Sequence, residues 1–158
     1  MFRFFRNLLG RLHRSQRADL LPVGSGLTLV ALVTDELDRA LLSSLAAEHG
    51  WTIHFARTRD EAWEVLTESK AQIILCEREK SGTDWRSVIR KMVSAPHLVC
   101  AILISNVIDN YLWNEVTMWG GHDVLSTPLR EENVVRAIRL AWLYWSSASR
   151  NEALSHSV

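Results

Sequence analysis

Four stretches of this chain set carboxylates or hydroxyls directly behind a short apolar run. Thr34, Asp35 and Glu36 follow LTLVALV, and Glu77 closes AQIILCE. Ser105 closes LVCAILIS, and Thr127 with Pro128 lies just past HDVL. Asp35 and Glu77, brought to roughly 5 Å of each other, would repel by about 1 kcal/mol in water-like surroundings and roughly 3 kcal/mol at an effective dielectric near 20. A divalent cation between them, or a raised pKa on one, relieves that repulsion. Weak magnesium binding at Asp35 and Glu77 is one chemistry open to this set; otherwise no cofactor is expected. The six histidines show no metal-ligand spacing, and His122 beside Asp123 reads as polarity where a strand begins. No Ser-His-Asp or Cys-His set and no glycine-rich phosphate loop stands out.

The elements that must position these residues alternate five times. Leu27–Val33 is a run suited to a strand buried on both faces. Leu37, Leu41, Leu42 and Leu45 then recur at helical spacing until Gly50 stops the helix. Thr52–Ala56 and Asp60–Ser69 read as the next strand and helix, with Trp63 on the apolar side. Ala71–Glu77 is the third strand, followed by a helix from about Asp84 to Ser94 with Thr83 or Asp84 as its cap. Leu98–Ser105 is the fourth strand, Asp109 caps a helix to Trp119, and Gly120-Gly121 ends it. His122–Leu125 and a last helix from about Arg130 to Ser147 complete the series. Such alternation predicts an α/β fold: a doubly wound, five-stranded parallel sheet in the order 2-1-3-4-5.

Composition agrees with one globular domain, since 158 residues at 47% apolar can bury a real core. The expected organisation is an arm over residues 1–19, a linker over 20–26 carrying Pro22, Gly24 and Gly26, the domain over 27–147, and a flexible tail over 148–158. With only that tail after the last helix, no output domain is expected. Residues 1–18 hold five arginines and no acid, leaving the remainder with 13 basic against 18 acidic residues. An acidic body argues against nucleic-acid binding by the domain. Cys76 and Cys100 sit in separate apolar runs and read as buried thiols. No apolar run approaches the roughly 20 residues of a membrane span. Arginines also interrupt the N-terminus, so no secretory signal is read there and a cytoplasmic location is expected.

The strand-end set Thr34, Asp35, Glu36, Glu77, Ser105, Thr127 and Pro128 resembles that of the response-regulator receiver family, over roughly Leu27 to Trp145. The segments GGHDVLSTPL, CEREKSGTDW, LWNEVTMWGGHDVL and AWLYW strengthen the likeness, towards small stand-alone receiver-like proteins. The resemblance implies an acidic pair after strand one that holds magnesium and an Asp ending strand three that accepts a phosphoryl group. It also implies a Ser or Thr ending strand four, and a Lys before a Pro after strand five, that bind the phosphoryl group. This sequence departs at several of these places. Thr34 stands at the first acidic position, with Asp35 at the second and Glu36 one place on; Glu77 replaces the acceptor Asp; Thr127 replaces the Lys; Ser105 is retained. Phosphoryl transfer depends on positioning and charge neutralisation, and these changes weaken both. The longer Glu77 is expected either to reach Ser105 or Thr127 and hold the pocket in one state, or to mark a decayed pocket of solvated acids.

The function expected on these grounds is a pseudo-receiver, a phosphorylation-independent adaptor in bacterial two-component signalling, with no enzymatic activity. A phosphoryl-accepting regulator with an unusual pocket, or a membrane-tethered scaffold, are the alternatives. In the last two helices Trp113, Trp119, Trp142, Tyr144 and Trp145 make the apolar surface wider than one stripe. The resemblance places partner binding or homodimerisation on the surface of helix four, strand five and helix five, where aromatics are favoured. The arm is amphipathic: Phe2, Phe5, Leu8, Leu9 and Leu12 share one helical face, with Arg3, Arg6 and Arg11 mostly elsewhere. That pattern suits a membrane surface at the inner membrane, a protein partner, or packing on its own domain.

Overall fold

Strands in this protein are short because each apolar run is short. The first, third and fourth are central because their runs are apolar on both faces, while the second and fifth lie at the edges. The computed structural model describes residues 26–79 and 84–157, so the arm residues from Phe2 to Leu12 and most of the linker lie outside the described residues. The strands are β1 (Thr28–Leu32), β2 (Thr52–Phe55), β3 (Ile73–Glu77), β4 (Cys100–Ser105) and β5 (Asp123–Ser126). They form one parallel sheet in the order β2-β1-β3-β4-β5, as the alternation predicts. Between them run α1 (Glu36–His49), α2 (Arg59–Ser69), α3 (Trp85–Val93) and α4 (Asn110–Met118), and α5 (Glu131–Ser155) follows β5.

Side chains alternate across the sheet and so define two cores. Leu29, Ala31, Ile73, Leu75, Ile102, Ile104 and Leu125 face α1 and α5, where Leu42, Leu45, Val134, Ile138 and Ala141 meet them. Val30, Leu32, Ile74, Cys76, Ala101, Leu103 and Val124 face the other three helices, meeting Leu66, Val88, Ile89, Met92, Leu112 and Val116. Each fully buried Leu, Ile or Val contributes roughly 1.5–3 kcal/mol relative to exposure, and β1, β3 and β4 carry three each. Both thiols are buried, and burial pushes Cys76 and Cys100 up to about 12.

Two local readings change. The first helix begins one residue early, with Asp35 as its cap, and its buried stripe is Asp38, Leu42, Leu45 and Ala46. Leu37, expected inside, is 81% exposed. One residue is about 100° around a helix, and Asp38, four and seven positions before the buried Leu42 and Leu45, lies on their face while Leu37 is turned off it. The last helix runs past the expected end at Ser147 to Ser155, so residues 148–155 are helix rather than flexible tail. That stretch has Ala, Arg, Glu and Leu and neither Gly nor Pro, so nothing stops the helix. Asp109 and Asp84 cap α4 and α3, accepting from Leu112 N at 2.8 Å and Arg86 N at 3.3 Å.

The turn into β5 is tight. Gly120 has φ +92°, and a Cβ on Gly121 would run into Val116 Cγ1 and lie 3.0 Å from the Val116 carbonyl oxygen. Gly121→Ala should therefore lower stability by about 1–3 kcal/mol, read as a lower urea midpoint at unchanged slope.

The two residues after this turn are titratable and partly buried. Burial lowers His122 to about 4, and its ring lies 5.3 Å from that of Tyr144 on α5. Burial also raises Asp123 to about 6, against the opposing hydrogen bond that Val124 N donates at 2.7 Å. The two act on stability with opposite signs. The Asp123 contribution is complete below its ordinary value of 3.8 and is lost as pH rises through about 6. The His122 contribution is complete above 6.5 and is lost as pH falls through about 4. Relative to the unsubstituted protein, the urea midpoint of His122→Gln should fall with rising pH between about 4 and 6, and that of Asp123→Asn should rise. Equal slopes in the two variants would contradict this.

Candidate functional site

The registers Leu32↔Cys76, Glu77↔Ile104 and Ser105↔Ser126 bring the carboxyl ends of β1, β3, β4 and β5 level. Glu77 is the last residue of β3 and is half-buried. Its Oε1 accepts from Thr34 N at 2.8 Å and from Asp35 N at 3.2 Å. Its Oε2 accepts from Thr34 Oγ1 at 2.8 Å. Three donors from the loop after β1 thus converge on one carboxylate, and bonds to an ionised acceptor are the stronger kind. The extra methylene of Glu carries the carboxylate sideways to the neighbouring strand. It does not reach Ser105 or Thr127, which corrects that expectation.

Thr34 is consequently a donor to Glu77 as well as a missing acid. Asp35 turns its side chain the other way, and its Oδ1 accepts from Asp38 N at 2.9 Å as the cap of α1. Glu36 is exposed in the first turn of α1, where a negative charge suits the helix dipole. Asp38, which the sequence reading passed over, is only 5% exposed, and its Oδ1 accepts from Leu129 N at 3.1 Å. Burial raises the Asp38 pKa; the Leu129 N–H opposes that, and the charges of Asp35 and Glu77 add to it.

Ser105 is fully buried. Its hydroxyl has one proton to give, with Val107 O at 2.7 Å and Glu79 Oε1 at 3.1 Å as acceptors. Val107 N donates to Ser105 Oγ at 3.2 Å, and Arg78 Nη1 does so at 3.4 Å. Glu79 Oε1 also accepts from Asn106 N at 3.3 Å, so Arg78 and Glu79 fold over the end of β4. Both directly follow the end of β3 and were missed in the sequence, because the loop decides where their side chains fold. Thr127 N donates to Ser105 O at 3.1 Å, and the Thr127–Pro128 bond is cis.

The receiver fold implies a magnesium ion beside the acceptor position. As arranged, the Glu77 oxygens face donors and Asp35 Oδ1 faces its own helix, so Asp35 and Glu77 do not fit the ion. Among the described residues no three His, Cys, Asp or Glu side chains come together as a metal group.

The five aromatic residues expected to form one surface are divided. Trp113 and Trp119 pack against the α2–α4 core, while Trp142 and Trp145 pack against the α1–α5 core. Trp142 and Trp145 stack at 5.5 Å, and Trp145 Nε1 donates to Leu98 O at 2.9 Å. Tyr144 is 42% exposed, and α4 adds Tyr111 at 71% and Met118 at 79%. Tyr111 and Met118 are seven residues apart, a helical spacing that the sequence reading did not use. Arg86 clamps α3 to α4 through two hydrogen bonds of 2.8 Å and one of 2.9 Å to Glu115.

No family model matches the sequence, and no curated protein matches it. Solved structures do. A response regulator from Thermotoga maritima has TM-score 0.66 at 14% identity, over 73% of this chain and 97% of that one. The signal receiver domain of an HD domain-containing protein from Pseudomonas fluorescens has TM-score 0.68 at 19% identity, over 77% and 98%. The chemotaxis protein CheY4 of Vibrio cholerae has TM-score 0.66 at 12% identity, over 73% and 98%. At these identities the likeness is one of fold.

If the Thr34 hydroxyl holds Glu77, Thr34→Val should cost about 1 kcal/mol in urea unfolding while Thr34→Ser stays near the parent. Equal losses in both would assign the effect to packing.

Proposed function

From a chain whose domain has the receiver fold, we propose a pseudo-receiver: a non-enzymatic adaptor in bacterial two-component signalling that binds signalling proteins without phosphoryl control. The observation that carries this reading is the occupied Glu77 carboxylate, which accepts three hydrogen bonds from Thr34 and Asp35. A nucleophile must present a lone pair to the incoming phosphorus, and these oxygens are directed at donors instead. Thr127 supplies no cation, and Ser105 is buried beneath Arg78 and Glu79. The partner surface favoured by the exposed side chains is the α4–β5–α5 side, with Tyr111, Met118 and Tyr144 as its apolar contacts. That face also suits a homodimer. A membrane contact through the basic arm is a separate proposal, resting on its amphipathic sequence alone.

One observation favours a phosphoryl-accepting alternative. Arg78 places a guanidinium 3.4 Å from the Ser105 hydroxyl, a cation beside the position that would bind the phosphoryl group.

Incubation with a small acyl phosphate and magnesium, followed by intact mass, separates the two. The unsubstituted protein should keep its mass, and Glu77→Asp combined with Thr127→Lys should gain a labile phosphate. A stoichiometric labile phosphate on the unsubstituted protein would overturn the pseudo-receiver reading.

A further inference from the structure

The loop between β5 and α5 needs an anchor on the pocket side. In the family this chain resembles, a lysine before the proline binds the phosphoryl group; here Thr127 occupies that place. We propose that Asp38 is a positioning residue that tethers this loop permanently to the pocket from α1, in place of a contact that depends on a phosphoryl group. The proposal rests on the pseudo-receiver reading for its significance, though not for its geometry.

Asp38 and Ser105 are the buried polar or charged residues among those described. Burying a carboxylate is costly unless it is hydrogen-bonded, so its position in the apolar stripe of α1 calls for a strong contact. That contact is the Leu129 N–H, 91 positions away in sequence and 3.1 Å from Oδ1. Leu129 follows the cis Thr127–Pro128 bond and is itself 8% exposed within the α1–α5 core. The amide lies outside the sheet ladder, so Asp38 satisfies a buried donor that β5 leaves over.

The tether is also continuous with the pocket. Glu77 accepts from Thr34 and Asp35, the Asp35 side chain accepts from Asp38 N, and Asp38 Oδ1 accepts from Leu129 N. Three hydrogen bonds in series therefore connect the acceptor position on β3 to the start of α5 without a lysine. A receiver that binds partners constitutively needs α5 held in one place, and this path holds it.

Hydrogen exchange of individual backbone amides tests the idea. In the unsubstituted protein the Leu129 amide should exchange at least roughly tenfold more slowly than the exposed neighbour Arg130, as a bond to a charged acceptor requires. Asp38→Ala should release Leu129 by roughly tenfold or more while amides in β3 and β4 change much less. Asp38→Asn keeps an acceptor oxygen and should release Leu129 by no more than about threefold. An unprotected Leu129 in the unsubstituted protein, or a uniform rise across all amides in Asp38→Ala, would overturn the proposal. The mass experiment with acyl phosphate is independent of it. A phosphorylated protein with a protected, Asp38-dependent Leu129 would sink the pseudo-receiver reading and leave the tether standing.

Discussion

A half-buried carboxylate at the end of a central strand has to be met by donors, and in this protein the loop after β1 meets it. The three bonds from Thr34 and Asp35 to Glu77 fix that loop against β3. With the loop fixed, Asp35 caps α1, whose apolar stripe of Leu42, Leu45 and Ala46 sets the rotation of the helix. That rotation buries Asp38 and exposes Leu37. Asp38 in turn anchors Leu129, where the chain prepares to enter α5. Hydrogen bonds thereby link the end of β3 through α1 to the loop before α5.

The same choice changes what the strand ends can do. A pocket built for phosphoryl transfer keeps its nucleophile accessible and its cations aimed at developing charge. Here the carboxylate is satisfied by protein, the hydroxyl of Ser105 is enclosed, and Arg78 is engaged at β4. Exposed apolar side chains lie on the outer face of α4 and at Tyr144 and Leu154 of α5, and also at Leu37, Val107 and Ile108 beside the strand ends. The clamp between Arg86 and Glu115 fixes α4 to α3. Partner recognition on a fixed surface is consistent with these features, whereas a switch would need a movable one.

The sheet was legible because unbroken apolar runs such as IILC and LVCAILI admit little besides buried strands. Strand order followed from alternation and size; Glu77 and Ser105 were located as the first polar residues past their runs, and Thr127 as the residue before Pro128. The partners of Glu77 were not legible. Thr34 stood out as a lost acid, and its value as a donor depends on a lateral reach that only the β1–β3 register defines. Asp38 was overlooked because a charged residue is not counted into an apolar stripe, although it stands four and seven positions before Leu42 and Leu45. Arg78 and Glu79 escaped notice because a loop decides where they fold. The tryptophans looked like one cluster because α4 and α5 are adjacent in sequence, yet the sheet lies between their two cores.

At the centre of this account is the statement that the Glu77 carboxylate is held by three donors from Thr34 and Asp35. A magnesium titration followed by the backbone amide resonances of Thr34, Asp35 and Glu77 addresses it directly. The account expects no saturable, site-specific shift of these amides into the millimolar range, because a cation would have to displace three donors to reach the oxygens. A saturable shift confined to these three residues, showing that Glu77 gives up Thr34 for the ion, would contradict it.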